Sequence, residues 1–263
     1  MKPAEREQLG LELYRALRDQ KMLPPLTERE PQLTLDDAYQ ISQCFLQHRL
    51  NDGERVIGKK IGLTSKVVQE MLGVHQPDFG FLTDAMMFES GCELPFSSPL
   101  IQAKSEGEIA FILKADLKGP NVTPQDVIDA TESVAACFEI VDSRVKDWKI
   151  KIEDTVADNA SCGIFVMGAE RVSPQDVDFE NCQMVIKNRG EVVATGQGSA
   201  ALGSPLNCVA WLANTLGDYD ISLNAGDIIL SGSLAAMIPC QEDDDMSVEI
   251  EGIGTASYRF ISA

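Results

Sequence analysis

The sequence predicts an α+β fold, and three observations carry that prediction. Apolar residues recur at helical spacing through residue 48, the texture changes near residue 55 to short apolar runs bounded by glycine, proline and asparagine, and apolar and polar residues alternate in the second half. Residues 1–55 therefore read as a helical N-terminal region and residues 56–263 as a larger, strand-rich body with inserted helices.

The elements follow in order. Leu9, Leu11, Leu13, Ala16 and Leu17 define a helix over residues 4–20, stopped by Pro24-Pro25. Thr34 with Asp37 resembles a capping box, Ala38, Ile41, Phe45 and His48 share one face of the next helix, and Asn51-Asp52-Gly53 ends it. Val56–Gly62 reads as a strand, Thr64–Gly73 as a short helix, and His75–Gly80 as a loop that holds Asp78 in a turn. Gln102–Leu113 runs into a strand. Thr123-Pro124 caps a helix that gives way near Ala136 to the strand Cys137–Asp142. Met184–Asn188 and Glu191–Ala194 flank Arg189-Gly190 as a hairpin, Ser204-Pro205 caps a helix with Leu206, Val209, Ala213 and Leu216 inward, and alternation at Met246, Val248, Ile250 and at Ala256, Tyr258, Phe260 gives the last strands.

Composition narrows the class. At 263 residues, 44% hydrophobic and 24% charged, the chain is typical of a soluble globular protein. No apolar run approaches the roughly 18 residues that span a bilayer, and MKPAEREQLG lacks a signal-peptide apolar segment, so a cytoplasmic location is expected. A net charge of −19 repels nucleic acid and anionic membranes alike, and a small anionic substrate binds only where a local cation reverses the field. The seven cysteines include no C-x-x-C pair and read as reduced thiols, mostly core. With only two histidines, any metal is held by oxygen.

Glu106 and Glu108 lie two apart in a strand, so both carboxylates face one way about 6.5 to 7 Å apart. Such a pair is either a solvated face or part of a cation site. Glu139, flanked by Phe138 and Ile140 in a second strand, supplies a third carboxylate, and three oxygen donors suit Mg²⁺ or Mn²⁺. Lys59-Lys60 puts one lysine on each face of its strand; an inward Lys60 has its pKa lowered by burial and serves as a proton shuttle, whereas an edge strand leaves both solvated. Val156–Gly163, small and rich in donors, suits either a carboxylate pocket or an ordinary connection.

Six ordered segments resemble one family: Gly58–Thr64, Gly73–Gly80, Glu106–Ala110, Glu139–Arg144, Asp154–Gly163 and Ser199–Leu206. They are similar to the hydratase/decarboxylase family of aromatic meta-cleavage pathways, within the fumarylacetoacetase-like superfamily. The resemblance implies a mixed β-sandwich roll, a homo-oligomer, and metal-dependent hydration of 2-hydroxypenta-2,4-dienoate to 4-hydroxy-2-oxopentanoate. It implies Glu106, Glu108 and Glu139 as ligands of Mg²⁺ or Mn²⁺, Lys60 and Asp78 as catalytic groups, and substrate contacts from Asn159, Ser161 and Ser231. Sister activities within that resemblance are decarboxylation of 4-oxalocrotonate and hydration of 2-oxohept-3-enedioate. A non-catalytic partner, or an enzyme associated with a pathway decarboxylase or aldolase, is a further expectation of the same kind.

Overall fold

The computed structural model describes residues 1–65, 69–70, 74–96 and 99–262. Three helices open the chain: α1 (Pro3–Asp19), α2 (Leu26–Arg29) and α3 (Leu35–Asn51). The Thr34 hydroxyl accepts from the Asp37 N–H at the start of α3, the cap that the sequence signals. Leu13, Ile41 and Phe45 are fully buried between α1 and α3. Phe81, Val156 and Ala157 belong to the same apolar cluster, so these helices pack directly on the body of the protein.

Among the described residues, two sheets form that body. The larger has eight strands, of which seven follow one another side by side: β2 (Asp78–Thr83), β1 (Val56–Gly62), β10 (Ile228–Leu230), β5 (Lys104–Leu113), β6 (Thr131–Val141), β7 (Cys162–Met167) and β3 (Met87–Glu89). The eighth, β11 (Ile238–Pro239), pairs with β5. The smaller sheet runs β4 (Cys92–Pro95), β13 (Gly254–Ile261), β12 (Asp245–Ile250), β8 (Gln183–Asn188) and β9 (Glu191–Gln197). The β8–β9 hairpin turns through Arg189 (φ 51°) and Gly190 (φ 84°), both left-handed, as a two-residue hairpin loop requires.

The strand period of two decides which residues meet. Ile109, Phe111, Phe138 and Ile140 join Met184, Ile186, Val248 and Tyr258 in the main core between the sheets. Gly107 lies on that inner face, where a β-carbon would sit 2.5 Å from Met184 Sδ. Glycine between Glu106 and Glu108 leaves room for the Met184, Ile186 and Val248 side chains of the smaller sheet, which would have to shift around a β-carbon. The two glutamates consequently point to the opposite face.

Three local expectations change. The helix that begins at Pro124 ends at Ala130, and β6 starts at Thr131, six residues before the strand read from the sequence. Pairing of residues 131–136 with β5 supplies backbone partners that an exposed helical extension lacks. Asp78 is the first residue of β2, paired with Gly62, rather than part of a turn. Val156–Gly163 is the end of a helix (Ile152–Ala157), a tight turn and the start of β7. Most of the helix read over Thr64–Gly73 lies outside the described residues.

Candidate active site

β5 and β6 pair antiparallel with Glu106 opposite Glu139 and Glu108 opposite Cys137. This register brings one carboxylate oxygen from each of Glu106, Glu108 and Glu139 within 4.8 Å of one another. Glu108 and Glu139 are fully buried and Glu106 partly so. At an effective dielectric near 20, two full charges at that separation repel by about 3 kcal/mol. Burial, followed by the neighbouring Glu139 charge, pushes the Glu106 carboxyl up to about 8, and the same causes hold Glu108 well above the ordinary range.

The donor inventory shows what the cluster fits. The Gly232 N–H donates to Glu108 Oε2 at 2.8 Å. Among the described residues, Glu108 Oε1 and Glu139 Oε2, both buried, have no donor, and Glu139 Oε1 has only the Lys60 ammonium 3.2 Å away. Buried carboxylate oxygens without donors are costly, and a cation is the partner that satisfies several at once. The three convergent groups offer only hard oxygen donors, which fits a divalent ion of the magnesium or manganese type.

Lys60 and Asp78 stand beside this cluster. Lys60 Nζ lies 3.2 Å from Glu139 Oε1 and donates to Ala160 O at 3.0 Å. Burial alone drives the ammonium down, but Glu139 and then Asp78 reverse this and leave its pKa above the ordinary lysine value. The lowering read from burial is therefore corrected, because inward-facing carboxylates outweigh desolvation. Asp78, also buried, is pushed up to about 6 by desolvation, against the opposing pull of Lys60.

Gly62 makes this adjacency possible. A β-carbon there would lie 2.2 Å from Asp78 Oδ1 and 3.1 Å from Lys60 Nζ. Gly62→Ala is expected to displace the carboxylate, lowering stability by about 1 to 3 kcal/mol and turnover by at least about tenfold. Denaturant midpoints and steady-state rates on the same preparation check both figures.

Behind Lys60 lies a turn in which Asn159 (φ 56°), Ala160 (φ 50°) and Ser161 (φ 51°) are all left-handed. For alanine and serine this conformation costs about 1 to 2 kcal/mol per residue, so the surroundings must impose it. The Asn159 amide is engaged with β2, accepting from Phe81 N–H at 2.8 Å and donating to Phe81 O at 3.0 Å. Both of these bonds go to the main chain of the strand that begins at Asp78. Ser161 Oγ shares a 2.9 Å hydrogen bond with Thr155 Oγ1. Among the described residues Ser231 Oγ is buried without a hydrogen-bond partner, next to the Gly232 amide that donates to Glu108.

Sequence reasoning missed Arg144 and Asp158. Both are fully buried, with Arg144 Nε 2.5 Å from Asp158 Oδ1. Arg144 closes the quoted segment Glu139–Arg144 and Asp158 sits inside Asp154–Gly163, so the charge pair was present in the motifs. Nothing in their spacing shows that they meet.

The fold and the carboxylate cluster define a class: this chain belongs to the fumarylacetoacetate hydrolase C-terminal family, whose model matches residues 62–261. Within it the chain is similar to dienoate hydratases. It is 55% identical over 97% of both chains to 2-hydroxyhexa-2,4-dienoate hydratase of Comamonas testosteroni. To 2-hydroxypent-2,4-dienoate hydratase of Pseudomonas putida it is 61% identical, over 82% of this chain and 97% of the relative. A solved 4-oxalocrotonate decarboxylase from Pseudomonas putida G7, complexed with magnesium and adipate, superposes with a TM-score of 0.96 over 99% of each chain at 34% identity.

Proposed function

We infer that this protein is a hydro-lyase that adds water to 2-hydroxypenta-2,4-dienoate, or a dienoate one carbon longer, to give the corresponding 4-hydroxy-2-oxoacid in aromatic meta-cleavage catabolism. The observation that carries the reading is the buried cluster of Glu106, Glu108 and Glu139 with Lys60 and Asp78 against it. The greater identity to the named hydratases than to the decarboxylase supports it. Glu106, Glu108 and Glu139 would hold Mg²⁺ or Mn²⁺, which when bound would supply the positive charge that attracts and polarises a 2-oxo acid in an otherwise acidic protein. The active form is a cytoplasmic homo-oligomer.

The chain's own groups handle protons. Conversion of the dienol needs its hydroxyl proton removed and a proton delivered to C5, after which water gives its oxygen to C4 and a proton to C3. Lys60, with one donor on Ala160 O and another facing Glu139, keeps a third N–H for substrate. Asp78, pushed up to about 6, exchanges protons near neutral pH and partners Lys60 in these transfers. Asn159 holds β2, and with it Asp78, in place; Ser161 and Ser231 line the substrate end.

A largely apolar cavity of about 300 Å³ is lined by Leu35, Tyr39, Val74, Pro77 and Ile152. Among the described residues its lining also includes His75 and Gln76 and holds no lysine or arginine.

The test is product NMR after incubation with freshly generated 2-hydroxypenta-2,4-dienoate and Mg²⁺, with a chelated control. Metal-dependent 4-hydroxy-2-oxopentanoate is expected. Only the uncatalysed keto tautomer would overturn the assignment and direct attention to the dicarboxylate substrates. Lys60→Ala is expected to lower turnover by about 10² to 10⁴-fold while Mg²⁺ affinity, read by calorimetry, changes little; unchanged turnover removes Lys60 from the chemistry.

A further inference from the structure

The left-handed turn at residues 159–161 is gripped from behind by one side chain. Arg144 Nε donates to Asp158 Oδ1 at 2.5 Å, its Nη2 donates to Asp158 O at 2.7 Å, and its Nη1 donates to Cys162 O at 3.1 Å. The Arg144 backbone N–H donates to the other Asp158 oxygen at 2.8 Å. One guanidinium therefore fixes the residue before the turn and the residue after it. Phe45 of α3 packs on the guanidinium, 5.8 Å from ring centroid to Cζ, and so ties the N-terminal helices to the same point.

The grip has a consequence on the other side of the turn. Ala160, at φ 50°, presents its carbonyl to Lys60 Nζ, and Asn159 pins the turn to Phe81 of β2. A substituted residue held left-handed relaxes toward ordinary backbone once its flanks are free, and that relaxation rotates the carbonyl away from the ammonium. No hydrogen bond or ion pair joins the Arg144 guanidinium to Lys60 or to the three glutamates among the described residues. Its influence on them runs through the turn.

We propose that Arg144 is a positioning residue: by holding Asp158 and Cys162 it fixes the Ala160 carbonyl, which orients the Lys60 ammonium between Glu139 and the substrate. This rests on the reading of Lys60 as a proton-transfer group. The fork geometry is the reason for arginine, since Arg144→Lys retains the charge but cannot bond Asp158 Oδ1, Asp158 O and Cys162 O in one plane. The buried pair is thereby assigned a role in orientation as well as in packing.

The experiment is a double-mutant cycle on the full-length protein with 2-hydroxypenta-2,4-dienoate and Mg²⁺, using Arg144→Lys, Lys60→Ala and the combination. Arg144→Lys is expected to lower kcat by about tenfold or more, with KM and calorimetric Mg²⁺ affinity within about threefold. In the Lys60→Ala background the same change is expected to lower kcat no further, because the group it orients is gone.

A second variant covers the case in which Arg144→Lys does not fold. Arg144→Met with Asp158→Asn removes both buried charges and keeps an acceptor for the Arg144 backbone N–H, so it tests the same coupling without an orphaned ion. Equal losses in the wild-type and Lys60→Ala backgrounds, or a loss confined to Mg²⁺ affinity, would overturn the positioning role while leaving the hydratase reading intact. Unchanged turnover in Lys60→Ala alone overturns the reading of Lys60 itself, and the positioning role with it.

Discussion

Glu108→Gln is expected to abolish turnover and to make the metal-free protein more stable at the same time. The substitution keeps volume and the acceptor for the Gly232 N–H, so the local fold has little reason to change. It removes one of three carboxylates whose oxygens lie within 4.8 Å of one another. Relief of that repulsion, already softened by partial protonation, is worth about 1 to 3 kcal/mol. In a chain of this size it raises the melting temperature by about 3 to 10 °C. Activity falls at least about a hundredfold, because a neutral amide is a poor ligand for a hard cation and the substrate loses its positive partner.

The opposed signs make this measurement decisive. A residue needed only for folding loses activity and stability together when changed. A residue needed for a strained, charge-dense site loses activity while stability rises. Wild-type turnover in Glu108→Gln would sink the metal mechanism outright. Loss of both would reassign Glu108 to the architecture of β5.

The glutamate cluster was legible because a strand has a fixed period. Glu106 and Glu108 had to share a face, and Glu139 between Phe138 and Ile140 had to point away from an apolar side. Their convergence also needed the register that sets Glu106 against Glu139, which no single-strand pattern encodes. Gly107 fits the motif afterwards: a β-carbon there would crowd the Met184, Ile186 and Val248 side chains of the sheet behind it.

Other features depended on contacts remote in sequence. The Lys60 ammonium rises where burial alone predicts a fall, because Glu139 and Asp78 arrive from β6 and β2. Arg144 and Asp158 meet across a helix and a turn, and only their meeting gives meaning to the left-handed Ala160. Asp78 reads as a turn residue within the loop His75–Gly80, yet pairing with Gly62 makes it the start of a strand. Local propensity was overridden in each instance by a tertiary partner.

Stripping divalent metal is expected to destabilise the protein, and by more at pH 8 than at pH 6. Glu106 is pushed up to about 8 from an ordinary 4.5, first by burial and then by Glu139, and the same causes hold Glu108 well above the ordinary range. A carboxyl raised on folding binds protons more tightly in the native state, so its contribution is fully present below its unfolded pKa and is lost as pH climbs toward the folded value. Metal-free protein therefore weakens between about pH 5 and pH 8. At the acid end the sign reverses: hydrogen bonds and charges from Thr34 and the N-terminus on Asp37, and from Thr83 and Arg49 on Glu54, lower those groups against desolvation, and their stabilisation disappears as pH falls through the lowered values. A metal that displaces protons from the cage binds more tightly as pH rises. Mg²⁺ at about a hundredfold over its dissociation constant stabilises by about 2.7 kcal/mol, or about 5 to 10 °C in melting temperature. Thermal scans with chelator and with a fixed concentration of Mg²⁺, at pH 6 and pH 8, check the difference. An equal shift at the two pH values, or a larger one at pH 6, would mean that the ion is held somewhere other than at Glu106 and Glu108, because it is their raised carboxyls that make protons and metal compete over this range.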